Sequence, residues 1–257
     1  MNKASQTLTI AMLAIEENIR KKILYILLFF SFLLIAFSAS FTSFELGTQL
    51  PVMKDISMSG ISLFGIVFTL SLFLNVIPQE IERKTIYPII TQPITRGTYL
   101  AGKYLGIMAL IAANLLILGI ELMIVLFIYG DGWNWMVLQS IALNILQCGV
   151  LGALMMAFSL IASYPLALST VIFLYIVGGI STPYINYLSG RLPDAMIKGV
   201  VFIKYLLPKF DCFNIKDAIV HSHTLPAGYF TWCCVYGITY IALVMLLASI
   251  LFDRKDL

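Results

Sequence analysis

The chain has 257 residues, of which 60% are hydrophobic and only 11% charged, where a soluble domain carries about 25% charged residues. So few charges cannot cover a hydrated surface, which excludes an ordinary water-soluble globule and makes lipid the solvent for most of the exterior. The net charge of +3 is scattered between apolar runs rather than gathered in a basic stripe with interleaved aromatics, so nucleic acid is not an expected partner.

A helix needs about 20 apolar residues to cross the hydrocarbon layer. Continuous apolarity with flanking breakers predicts an all-α integral membrane protein, with residues 1–257 forming a single transmembrane domain of six spans. Residues 5–22 come first, with Leu8, Met12, Ile15 and Ile19 on one face and Ser5, Glu16, Arg20 and Lys21 elsewhere. That pattern fits an amphipathic helix on the membrane surface, or equally an extension of the first span. Spans are then expected at 23–43, 58–79, 99–129, 136–162, 166–187 and 229–252. The first starts late for a signal peptide and is read as an uncleaved anchor. This assignment gathers Arg20, Lys21, Lys22, Arg83, Lys84, Arg96, Lys103, Arg254 and Lys255 on one side, which the positive-inside rule makes cytoplasmic. Tyr129, Trp133, Trp135, Tyr229 and Trp232 then form an aromatic belt at the opposite interface. Both termini are expected in the cytoplasm.

Residues 188–228 fit this topology poorly, since the assignment puts Arg191, Lys198, Lys204, Lys209 and Lys216 outside. The stretch 195–207 is too short and too basic to span, so a short re-entrant or surface helix is expected there, with an extra crossing as the alternative.

The most informative stretch lies between the second and third spans, QEIERKTIYPIITQPITRGTYLAGKYLG over 79–106. It is amphipathic, proline-punctuated and far more charged than its flanks. A helical start at Glu80, an apolar face at Ile86, Ile89 and Ile90, and a stop at Pro93 predict a short cytoplasmic helix over 80–97.

The stretch resembles the signature of ABC exporter permeases of the ABC-two type: a Glu-x-Glu-Arg start, Thr-Ile, Pro-Ile-x-Arg, then Tyr-Leu-x-Gly-Lys. Here these are Glu80, Glu82, Arg83, Thr85, Ile86, Pro93, Ile94, Arg96, Tyr99, Leu100, Gly102 and Lys103. The chain departs from the family at Lys84, where many members have glycine. More loosely, the likeness covers the whole chain through its length, six spans, initial surface helix and basic FDRKDL tail. The resemblance implies that 80–97 is the coupling helix, docking in a groove of a separate ABC ATPase through Glu80, Glu82, Arg83, Thr85, Ile86, Tyr87, Pro93 and Arg96. It further implies a second permease copy or paralogue, a bacterial cytoplasmic (inner) membrane location, and ATP and Mg on the partner, with no cofactor or catalytic residue on this chain. Gly97 to Lys103 reads G-x-x-x-x-G-K, but Tyr104 replaces the magnesium-binding Ser or Thr and no strand precedes it, so no nucleotide is expected there.

Glu121 is an ionisable residue inside the third span, and a carboxylate in hydrocarbon is a functional-site hypothesis by default. Counting roughly 27 Å up from Lys103 places it near the outer interface, at the expected height of Asn144 on the fourth span. The two are expected to pair, with Asn114 and Gln147 nearby, as a polar layer at the exit of a pathway or as interhelical glue. Gly102 and Gly106 read as helix packing. Gly178, Gly179 and Pro183 mark a bend or the end of the fifth span. His221 and His223 have no third ligand nearby, and the four cysteines form no zinc or disulfide pattern, so no metal site is expected. The expected cargo is hydrophobic or amphipathic: a lipid, drug, peptide or glycolipid. A secondary transporter, a channel and an intramembrane enzyme are the alternative classes.

Overall fold

The computed structural model describes residues 3–20, 22–38, 49–74, 76, 95–130, 132–188, 207–220, 226 and 228–254. These residues are helical apart from turns and short connections. In chain order the helices are α1 (Lys3–Ile19), α2 (Lys22–Ser38), α3 (Gln49–Phe73), α4 (Arg96–Ile128), α5 (Trp135–Ile161), α6 (Tyr164–Leu188), a 3-10 turn (Phe210–Phe213), α7 (Lys216–Val220) and α8 (Tyr229–Asp253). Four of them, α3, α4, α5 and α8, are long and apolar enough to cross a membrane. Their lipid-like exterior carries large side chains that water would not tolerate in such numbers, among them Phe127, Ile128, Trp135 and Trp232. These features suit a multi-pass membrane protein.

Helices α2 and α6 occupy the expected first and fifth spans. The 17 residues of α2 reach only about 25 Å, short of the roughly 30 Å hydrocarbon layer. Residues 39–48, which would complete the expected span, lie outside the described residues. Helix α6 continues through Pro183 to Leu188, so the chain does not stop at the Gly178-Gly179 pair.

The second span starts earlier than expected, at Gln49 rather than 58. Pro51 is tolerated in the first turn, where its missing N–H has no partner to lose. Lys54 is buried, and Asp55 pairs with Lys216 of α7 at 2.9 Å. Charges that look like a hydrated loop in the sequence are thus covered by another part of the chain.

Helix α5 is the central element: 72% of its apolar window is buried, against 22% for α8. It packs against α3, α4, α6, α8 and the 3-10 turn. Contacts of Ser62 with Asn144 and of Gly152 with Phe73 run in the same order along α3 and α5, so these two helices are parallel. Gly119 against Ile141 and Tyr104 against Gly149 run in opposite order, which makes α4 and α5 antiparallel.

Helix α1 lies along the first turns of α4, its most extensive partner. Gly102 and Gly106 are the seat. A Cβ on Gly102 would stand 2.8 Å from the Ile10 side chain, and one on Gly106 would stand 2.4 Å from the Ala11 carbonyl oxygen. The G-x-x-x-G spacing puts both glycines on one face of α4, and the helix that uses this face is α1 of the same chain.

Candidate functional site

Most of the sequence-predicted coupling residues, Glu80, Glu82, Arg83, Thr85, Ile86, Tyr87 and Pro93, lie outside the described residues, as do His221 and His223. Arg96 is described, at the first position of α4 with Thr95 as the N-cap. Its Nη1 donates to the carbonyl oxygens of Phe252 at 2.9 Å and Asp253 at 3.3 Å. The guanidinium also stacks on the Phe252 ring, 5.7 Å from its centroid. The last carbonyls of a helix lack intrahelical donors and carry the negative end of its dipole, so a planar cation with several N–H groups suits the end of α8. One turn or two further along α4, Lys103 Nζ lies 2.9 Å from Glu17 Oε2 of α1. The start of α4, the end of α8 and the whole of α1 are therefore joined at one end of the bundle.

A second polar centre lies halfway along the helices. Ser62 on α3 donates to Asn144 Oδ1 on α5 at 2.8 Å, and Gln147 Nε2, one turn further, donates to the Tyr175 hydroxyl of α6 at 3.3 Å. Both bonds link neighbouring helices in an apolar core, where an unmade hydrogen bond is costly. Beside them is a cavity of about 310 Å³, lined by Ser62, Gln147, Tyr175, Asp211 and Asn214 and by the apolar Ile176.

Residues 207–220 close this cavity from one side. The segment carries an apolar face of Phe210, Phe213, Ile215 and Ile219, all buried. Phe210 packs on Tyr175 with ring centroids 5.2 Å apart, and Phe213 packs on Tyr236 of α8. The absence of a side chain at Gly178 admits the Pro208 carbonyl, which would stand 2.3 Å from a Cβ there. The Lys209 amide donates to Tyr236 Oη at 2.9 Å, and the Cys212 carbonyl accepts from Tyr229 Oη and Cys233 Sγ, each at 3.1 Å. Backbone polar groups between membrane helices must find partners inside the protein, and those three bonds supply some of them. Burial pushes the Cys212 thiol above its ordinary pKa, an effect that nearby Lys209 opposes. With these contacts in place, Asp211 lines the cavity; its Oδ2 is shielded from solvent and accepts no hydrogen bond among the described residues.

The expected polar layer divides. Gln147 lines the cavity and Asn144 stands behind Ser62. Asn114 is buried on α4, and among the described residues neither its Nδ2 nor Glu121 Oε2 has a partner; neither residue lines the cavity. The expected pairing of Glu121 with Asn144 does not form. Lys103 was the wrong reference height: α4 begins at Arg96, and Gly119 packs on Ile141. Glu121 therefore stands more than a turn nearer than Asn144 to the far end of the bundle.

Sequence reasoning missed Ser62, Tyr175, Asp211 and Asn214. One signal pointed to the last two: FDCFNI puts three large apolar residues around Asp211 and Asn214, a pattern for a segment half inside a core and not for a hydrated loop. Among the described residues, no cluster of three or more His, Cys, Asp or Glu could hold a metal ion. The cavity's hydrogen-bonding side chains, single carboxylate and half-exposed Ile176 suit recognition of a polar headgroup.

No protein-family model matches the chain, and no curated protein is significantly similar to it.

Proposed function

We propose that the chain is the membrane-spanning subunit of an ABC exporter of the ABC-two type, crossing a bacterial cytoplasmic membrane six times with both termini inside. The observation that carries this reading is the stretch from Glu80 to Lys103, whose residue types and order resemble the coupling segment of such permeases. In this reading a separate ATPase binds ATP and Mg, and the chain works beside a second copy or a paralogue. The cargo is hydrophobic or amphipathic.

The connections at the inner end support the reading. Arg96 ends the coupling segment and is bonded to the last carbonyls of α8, while Lys103 is bonded to α1. A push on 80–96 is thereby delivered to three helices at once, because the first turns of α4 cannot move without them. Arg20, Arg96, Lys103 and Arg254 gather at this end; towards the other lie Lys54, Lys209 and Lys216, of which Lys216 is matched by Asp55. The basic 188–228 stretch thus weighs less against an outer location than a bare count of its lysines implies.

A second reading, a carrier driven by an ion gradient, is favoured by one observation. Asp211 places a carboxylate midway along the bundle, and intramembrane carboxylates serve ion coupling in such carriers.

The deciding experiment purifies the full chain in mild detergent from its native membrane and assays vanadate-sensitive ATP hydrolysis in the preparation. Hydrolysis is expected with the wild type and is expected to vanish with Glu82→Ala and Arg83→Ala, while the chain itself stays monodisperse. If a cysteine placed at 82 or 83 reacts with a membrane-impermeant reagent from outside intact cells, the coupling assignment is wrong.

A further inference from the structure

The cavity at the centre of the bundle carries a more specific inference. Ser62, Gln147 and Tyr175 sit close to the midpoints of α3, α5 and α6, so the cavity is roughly 16–20 Å from either end of these helices. Asp211 brings the formal charge of its lining to this depth. A carboxylate shielded from water is expensive unless a cation or donors face it; Asp211 is partly exposed, and among the described residues its Oδ2 accepts no hydrogen bond. The remaining polar groups are mostly acceptors or can act as such: the Tyr175 and Ser62 oxygens and the Gln147 and Asn214 carboxamides. Phe210 and Tyr175 add aromatic faces, which attract cations through their ring quadrupoles. Ile176 lines the cavity and is 49% exposed, so a chain attached to a bound headgroup can leave past it. The volume of about 310 Å³ is at the small end for ligand pockets, fitting a headgroup rather than a whole lipid.

We propose that this cavity binds the cationic headgroup of an amphipathic ammonium compound, with Asp211 as counter-charge and the apolar tail passing Ile176 into the membrane. The inference deepens the exporter reading, on which it rests for its biological meaning, by naming a substrate class. Binding itself needs no ATPase.

The test uses the full-length chain in a non-ionic maltoside detergent, with empty micelles as the blank, and two radiolabelled probes of equal tail length and opposite charge, decyltrimethylammonium and decyl sulfate, below their micellar concentrations. Wild-type protein is expected to bind the cation at least tenfold more tightly than the anion. Asp211→Asn is expected to remove that preference and Asp211→Glu to retain most of it. Ile176→Trp, which fills the mouth without touching the charge, is expected to weaken binding of the cation about tenfold, and it decides the matter if Asp211→Asn does not fold. Equal binding of both probes by the wild type, or an undiminished preference in Asp211→Asn, overturns the proposal. Should the cation bind as expected while no ATPase activity depends on Glu82 or Arg83, the exporter reading fails and the site stands.

Discussion

Replacing Gly106 by leucine is expected to unseat α1 from the bundle. A single Cβ at this position would stand 2.4 Å from the Ala11 carbonyl oxygen and 2.9 Å from the Ala14 Cβ, about 1 Å inside the 3.4 Å at which ordinary contact begins. The first clash is with backbone, so no rotamer change relieves it and α1 must move as a body. Overpacking of this kind costs about 1–3 kcal/mol. Opposing it, replacing glycine in a helix interior by a residue with better helix propensity gains roughly 0.5–1 kcal/mol. Gly106→Ala is therefore expected to be mildly destabilising and Gly106→Leu clearly so, because leucine adds three carbons where Ala14 is already fully buried. Two measurements report this: thermal unfolding in detergent, and the rate of tryptic cleavage after Arg20, which should rise as α1 spends more time undocked. If Gly106→Leu leaves both unchanged, the glycine face does not seat α1. If it leaves both unchanged but changes the size of the detergent-solubilised particle, that face instead meets another copy.

Breaking the Ser62–Asn144 bond should show coupling: in a double-mutant cycle with Ser62→Ala and Asn144→Leu the interaction term is expected at about 0.5–1.5 kcal/mol, and a term indistinguishable from zero in unfolding measurements refutes a shared bond. The Asp55–Lys216 pair is half-exposed on the Asp55 side and so should contribute less than about 1 kcal/mol; Lys216→Asp is expected to loosen 207–220 towards proteases and the exchange Asp55→Lys with Lys216→Asp to restore protection. Arg96→Ala should lower the unfolding temperature and Arg96→Lys should recover only part of the loss, because an ammonium cannot reproduce both the stacking on Phe252 and the guanidinium geometry; full recovery with lysine would mean that charge alone matters. Because burial raises the Cys212 pKa, less of it is thiolate at a given pH, so in a variant whose other cysteines are replaced its alkylation by maleimide should be slow at neutral pH and still rising above the ordinary thiol range; a rate that levels off below pH 8 contradicts this.

Much of the helical framework was legible because lipid imposes a simple rule: runs of about 20 apolar residues must be helices. The expected start of the last span at 229 is the observed start of α8, and the fourth is displaced by one residue at each end. Errors arose where charge was taken as a sign of water. The expected second span starts at 58, after Lys54 and Asp55, yet both sit inside α3, where α7 provides Lys216 to Asp55. The buried aromatic residues of 207–220 were not expected either, since the stretch reads as a basic loop. Periodicity is weak over so few residues, and the helix side chains that line the cavity with Asp211 and Asn214 come from more than 30 residues away, which no local pattern reports.

The interhelical polar contacts show why a composition-level reading placed the polar layer wrongly. In a membrane bundle the apolar exterior has no preferred neighbour, so helix heights are set by close packing and by the few polar groups that must meet. On α4 the determining contacts are Gly119 with Ile141, Tyr104 Oη with the Gly149 carbonyl at 2.9 Å, and Gly106 with α1. None involves Glu121. Counting residues from a basic side chain assumes that the side chain marks the water boundary, and Lys103 does not, since its side chain is 10% exposed and paired with Glu17. The chain spends its charges on joining elements to each other: Lys103 to α1, Arg96 to α8, Lys216 to α3. Glu121 Oε2 and Asp211 Oδ2 are different, because they join nothing among the described residues, and of the two Asp211 lines the cavity, where a ligand has something to gain.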